Sequence, residues 1–148
     1  MSVEDFEGWR YCTVLLPEEE RLVCYFFRNG ESQVSCYDEN HNVFRLDRDG
    51  NVIWQVQRDE QGKLNWEAMD EHARVRGEDG AREPFTKLLV VQPDGTRRRN
   101  PKDGSALDVD EWVPGCKVFS DSADGQIYEI DIEAGVARNV TPHRQRRW

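Results

Sequence analysis

The stretch that most constrains this chain is NVFRLDRDGNVIWQVQRD, residues 42–59. Apolar side chains recur there at every second position on both sides of Asp49-Gly50. Phe44 and Leu46 share one face, opposite Arg45 and Asp47. Val52, Trp54 and Val56 share another, opposite Ile53, Gln55 and Gln57. A period of two marks a half-buried strand, because successive Cβ atoms of an extended chain point to opposite sides of a sheet. Asp-Gly at the centre predicts a type I′ turn, in which both central residues need positive φ and glycine takes it without steric cost. The segment therefore reads as one β-hairpin.

The same alternation surrounds it. WRYCTVLL (9–16) runs into PEEE, RLVCYFF (21–27) runs into Asn29-Gly30, SQVSCY (32–37) follows, and the loop DENH (38–41) leads into the hairpin. Short turns between such segments predict an antiparallel meander over 1–58. Residues 59–84 break the pattern as a helix/loop insertion. Within it, 64–75 predicts a short helix capped by Asn65, with Trp66, Met69 and Ala73 near one face, and 76–84 reads as loop. A second set of strands occupies 85–141, and a basic tail, 142–148, ends the chain. Between those strands, residues 100–115 carry two prolines and two glycines and read as a long loop holding one aromatic, Trp112. With 148 residues, 37% apolar and 33% charged, the expectation is a single all-β or β-rich α+β domain. Its form would be a twisted antiparallel meander sheet with one short helix.

Residues 42–52 and 126–136 align without gaps, pairing Val43 with Ile127, Phe44 with Tyr128, Leu46 with Ile130, Asp47 with Asp131 and Val52 with Val136. An aromatic, an apolar residue and Asp before a glycine turn resembles the blade repeats of PQQ-like β-propellers. The two stretches lie 84 residues apart, twice 42, and this chain holds only about three units of that length, too few to close a ring of four to eight blades. DFEGWRY near the N-terminus resembles the start of a lipocalin-type carrier, with Gly8 and Trp9 adjacent where that family separates them by one residue.

Charge and cysteines narrow the function classes. A net charge of −9 repels phosphate backbones, so nucleic acid is not expected as a partner and a basic protein is. No apolar run approaches the roughly 20 residues that span a bilayer, so no membrane partner is expected. The acidic N-terminus lacks the features of an export signal, which makes the expected compartment cytoplasmic. Cys12, Cys24, Cys36 and Cys116 form no CxxC pair and read as reduced, buried small hydrophobes. The even spacing of the first three is compatible with successive strands.

No motif specifies a reaction. His41, His72 and His143 have no partner at metal-ligand spacing, and neither GxSxG nor a phosphate-binding glycine loop occurs. Asp38, Asn40 and Asn42 have the spacing of a calcium loop, but Val43 stands where its tight turn needs glycine. Arg97, Arg98 and Arg99 read as a solvated strand edge. No catalytic residue, metal or cofactor is assigned. The expectation is a non-enzymatic acidic binding module, similar in type to the small acidic immunity proteins of bacterial toxin systems. Such a protein would neutralise a basic toxin or nuclease domain. Candidate partner-binding residues are Asp108, Asp110, Glu111 and Trp112, read as an exposed loop, and Glu18, Glu19 and Glu20 as a second patch. The alternatives are a small-ligand carrier on an up-and-down barrel, or an enzyme using acidic residues.

Overall fold

Alternation is plainest in the second strand, where Leu22 and Cys24 point to one side, Val23 and Tyr25 to the other, and all four are buried. The computed structural model describes residues 10–25, 36–59, 68, 71, 84–99, 108–123 and 125–142. In these the fold is β-rich, with two five-stranded sheets. The first is built from β1 (Arg10–Leu15), β2 (Arg21–Tyr25), β3 (Val43–Leu46), β4 (Val52–Gln55) and β7 (Asp108–Glu111), in the order β4-β3-β2-β1-β7. The second uses β5 (Gln57–Arg58), β6 (Leu89–Val91), β8 (Lys117–Asp121), β9 (Ile127–Asp131) and β10 (Val136–Asn139), in the order β5-β10-β9-β8-β6.

The expected meander is present from β1 to β4, but both sheets are mixed. β7 pairs parallel with β1, and β5 pairs parallel with β10. The sheets also join at both edges. Val56 N–H donates to the Val43 carbonyl of the first sheet (2.9 Å), and the next residue, Gln57, donates to Gly135 of the second (2.8 Å). At the other seam, Arg98 N–H donates to Val90 of β6 (2.8 Å) while its carbonyl accepts from Glu111 of β7 (3.2 Å). Backbone hydrogen bonds thus run around the whole perimeter as in a flattened barrel, which leaves few open edges.

Cys12, Val14, Leu22, Cys24, Val43, Val56, Phe85, Leu88, Val90, Val118, Tyr128 and Ile130 belong to one buried cluster, with Trp54 and Trp112 packed against it. On the opposite face of the first sheet, Val23, Tyr25, Phe44 and Leu46 make a second cluster, in which Tyr25 meets Phe44 edge to face at 5.6 Å.

Several local expectations need correction. The Asp49-Gly50 turn is not type I′, since only Gly50 has positive φ (87°) there. Gly50 N–H instead donates to the Asp47 carbonyl (3.0 Å), and the Asp47 carboxylate accepts from the backbones of Asp49 and Asn51, both at 2.9 Å. Those bonds, with Asp47 N–H donating to the Asn51 carbonyl (2.9 Å), hold a three-residue loop closed by one left-handed glycine, one residue longer than a type I′ connection. Val52 does not share the inward face of Trp54 and Val56. The pairing slips between Arg45–Trp54 and Leu46–Val52, and the extra residue leaves Val52 39% exposed. Of the strand expected at 32–37, only Cys36 and Tyr37 are among the described residues, and both belong to a short helix, α1 (Cys36–Asn40), so Cys36 does not lie on a strand with Cys12 and Cys24. Of the helix expected at 64–75, only Ala68 and Glu71 are among the described residues, and both are helical. Residues 108–111 are strand β7, not loop, because they pair with β1 along Cys12–Leu15.

One buried amide ties the sheets together. Asn42, fully buried, donates through Nδ2 to the carbonyls of Tyr25 (2.7 Å) and Phe85 (2.8 Å) and accepts Phe85 N–H at Oδ1 (2.9 Å). Replacing it leaves several buried backbone groups without partners. Asn42→Ala should cost about 2–3 kcal/mol in urea unfolding, and a cost below about 1 kcal/mol would show that the amide is dispensable.

The aligned hairpins also meet across a seam. The Trp54 indole N–H donates to the Ile132 carbonyl (2.8 Å), and its ring lies against Gly135, whose φ is +72° and where an added Cβ would come 2.8 Å from Trp54 Cδ2. Gly135→Ala should therefore destabilise by about 2–3 kcal/mol, of which only about 1 kcal/mol, the left-handed backbone cost, should persist alongside Trp54→Ala. A double-mutant cycle in urea measures the difference; equal costs in both backgrounds would rule out the steric contact.

Candidate functional site: an acidic hairpin end

In an antiparallel meander, alternate connections fall at the same end of the sheet. The β1–β2 turn and the β3–β4 turn accordingly lie side by side. Between them Glu18, Glu19, Glu20, Asp47, Arg48 and Asp49 line an open groove of about 590 Å³. Its carboxylates are not equivalent. Glu20 is half-buried and ion-paired to Arg45 at 2.6 Å, and Arg45 also donates to the Ile132 carbonyl (3.0 Å). Glu20 is thereby spent on joining this turn to the neighbouring hairpins. Glu18, Glu19 and Asp49 are exposed and make no ion pair among the described residues, so their charge projects into the groove.

The turn that carries them is held in an uncommon conformation. Glu18 and Glu19 have φ of 62° and 63°, and Glu20 N–H donates to the Pro17 carbonyl at 3.3 Å. This is the backbone of a type I′ turn made without glycine or asparagine. A left-handed φ costs an L-residue roughly 1–2 kcal/mol, so the β1–β2 pairing holds two acidic side chains against a local preference.

Across the groove, Asp47 is held below the usual carboxylate range, chiefly because Asn51 N–H donates to its carboxylate, with lesser help from the Asn51 side chain and Asp49. Two other turn aspartates share this state. Asp131 is lowered first by Ala134 N–H and then by Arg138, and Asp94 first by the Thr96 hydroxyl at 2.6 Å.

The other candidate patch is taken apart by its own pairing. Asp110 is 1% exposed, where an exposed loop was expected. Its Oδ2 accepts Val90 N–H (2.8 Å), and Arg97 Nε lies 2.9 and 3.0 Å from its two oxygens. The carboxylate holds β6 and the 97–99 segment at the seam, so Arg97, Arg98 and Arg99 are not the edge expected of them: the segment is bonded on both sides, while Arg97 and Arg99 stay exposed. Glu111 pairs with Arg98 at 3.2 Å. Trp112 is half-buried against the core and donates its indole N–H to the Cys116 carbonyl (2.9 Å). Asp108 contributes backbone pairing to Cys12 of β1. The structure brings Glu18, Glu19 and Glu20 together with Asp47 and Asp49, which sequence reasoning left out. The signal was present, since a meander places both turns at one end.

A second polar cluster lies within the fold. Arg58, 7% exposed, sits with its guanidinium 4.3 Å from the Phe85 ring centre and 5.2 Å from that of Tyr128, and donates through Nε to the Asn40 carbonyl (3.0 Å). His41, fully buried, stacks on Tyr37 at 4.0 Å. These contacts anchor α1 to the end of the barrel. Among the described residues, no group of three or more His, Cys, Asp or Glu could hold a metal ion, and no helix is long and apolar enough to cross a membrane. Comparison with family models, curated proteins and solved structures finds no match to this chain.

The three turn aspartates set an acid limit on stability. Their folded-state pKa values lie below the unfolded ones, so the stability they contribute is present above the unfolded carboxylate range and is lost as pH falls through the folded values. The melting temperature should therefore drop on acidification below about pH 4. The Asp47→Ala/Asp131→Ala variant should melt lower at neutral pH and lose less on acidification. Parallel curves for the two proteins would refute the assignment.

Proposed function

We propose that the protein is a non-enzymatic binding module whose acidic hairpin end receives a cationic protein surface, as an inhibitor or immunity-type protein receives a basic toxin or nuclease domain. The observation that carries this reading is the exposed set Glu18, Glu19 and Asp49 around one groove, with no ion pair among the described residues, on turns braced by the Glu20–Arg45 ion pair. The exposed carboxylates outnumber Arg48, the base in the groove's lining; a net negative field raises the encounter rate of a cationic partner, and a pre-formed turn reduces the ordering cost of binding. Asp110, Glu111 and Trp112 are engaged within the fold and drop out of the proposed surface. Among the described residues, Phe85, Tyr128, Leu22 and Leu88 pack together in one buried cluster, which favours this reading over a carrier.

The test is capture from a lysate of the source cell at low salt, by the wild type and by a Glu18→Lys/Glu19→Lys/Asp49→Lys variant. A basic protein retained only by the wild type is expected. Its association rate should fall at least tenfold between about 20 and 500 mM salt, with little change in dissociation. Equal retention by the two proteins, or an association rate indifferent to salt, would overturn the proposal.

A further inference from the structure

Cys12 and Cys24 stand directly opposite each other in the β1–β2 ladder. Both are free and buried, at 1% and 0% exposure. Leu16 N–H donates to the Glu20 carbonyl at 2.9 Å, and alternation along the ladder from that pair makes Cys12–Cys24 a hydrogen-bonded pair as well. Cα atoms in such pairs lie about 5.5 Å apart, within the span that a disulfide bridges. We propose that Cys12 and Cys24 form a reversible cross-strand dithiol–disulfide site, closed by exchange with a low-molecular-weight disulfide.

The chemistry balances as two exchanges. One thiolate attacks the small disulfide, forming a mixed disulfide and releasing one small thiol. The second cysteine then attacks the protein sulfur of that mixed disulfide. Cys12 and Cys24 are joined, a second small thiol leaves, and the two cysteine protons end on the two released thiols.

Two features make the bond labile. Cβ atoms of directly opposed residues start roughly 5 Å apart, wider than the approximately 3.8 Å of a relaxed disulfide, so closure strains the ladder. The register shift between Arg10 and Cys12 lies beside the pair and supplies part of the adjustment. Strained disulfides are the readily reduced ones. Closure also reaches beyond β1 and β2. Cys24 donates its thiol proton to the Phe85 carbonyl (3.4 Å) and accepts from Asn42 Nδ2 (3.6 Å), so loss of that proton removes one bond from the group that ties the two sheets. The hydrogen bond with Cys12 and burial push the Cys24 thiol up, which slows attack in the closed fold and confines exchange to folding or to opening of the ladder.

The experiment uses a Cys36→Ser/Cys116→Ser variant, refolded from urea in buffers of stepped reduced-to-oxidised glutathione ratio, alkylated, and mapped by mass spectrometry. The expected product lacks two hydrogens, carries a Cys12–Cys24 link, and changes from linked to free within the glutathione range. The same oxidised buffer should link the native variant at least tenfold more slowly. Free, alkylatable Cys12 and Cys24 after refolding in oxidised glutathione would overturn the proposal, as would a link that excess reduced glutathione leaves intact. Should the variant not fold, the wild type is mapped in the same way. A dominant Cys12–Cys24 peptide then supports the site, and dominant links to Cys36 or Cys116 overturn it.

Discussion

The carboxamide of Asn42 holds the place on which the rest of the structure depends. It lies where β2 ends, β3 begins and the chain approaches β6, and it makes to Tyr25 and Phe85 the hydrogen bonds that a neighbouring strand would otherwise make. A carbonyl and an amide on one planar group can satisfy a donor and two acceptors where no continuous strand can pass between the sheets. With Cys24 beside it and Phe85 packed edge to face on Tyr128 at 5.2 Å, the amide turns two sheets into one closed body.

The opposite seam solves the same problem with charge. Asp110 puts a carboxylate oxygen where β6 needs an acceptor for Val90 N–H, and Arg97 neutralises it. A buried carboxylate is costly unless paired and hydrogen-bonded, and here it is both. Two polar side chains, each bonded to backbone, thus complete the ladder at positions where pure strand pairing runs out. The acidity at the hairpin end is of another kind. Glu20 is committed to Arg45, whereas Glu18, Glu19 and Asp49 remain exposed beside the groove. The same residue type serves structure in one place and surface field in the other.

Much of the fold was legible in local pattern. The alternations at 21–25 and 43–46 are strands, with Phe44 and Leu46 on one face as expected, and the two aligned hairpins are both hairpins. The failures have a common physical origin. Residues 108–111, rich in Asp and Glu, resemble a solvated loop because their partners, Arg97, Arg98 and β1, are supplied from elsewhere in the chain. The Asp49-Gly50 turn was misjudged because the Asp47 side chain, not the turn dipeptide, selects its geometry. The left-handed turn lies at Pro17–Glu20, where no glycine announces it.

By itself, the sequence determined the β-rich class, the positions of most strands, the acidic surface and the choice of PEEE as one candidate patch, since these follow from a two-residue period and from composition. Only the tertiary structure decided that the sheets are mixed and joined at both edges. It also buried Asp110 and set Glu18 and Glu19 beside Asp49 in one groove. Such outcomes depend on hydrogen bonds and ion pairs between residues far apart in the chain, and short-range patterning carries no record of which distant group will satisfy a given donor or charge.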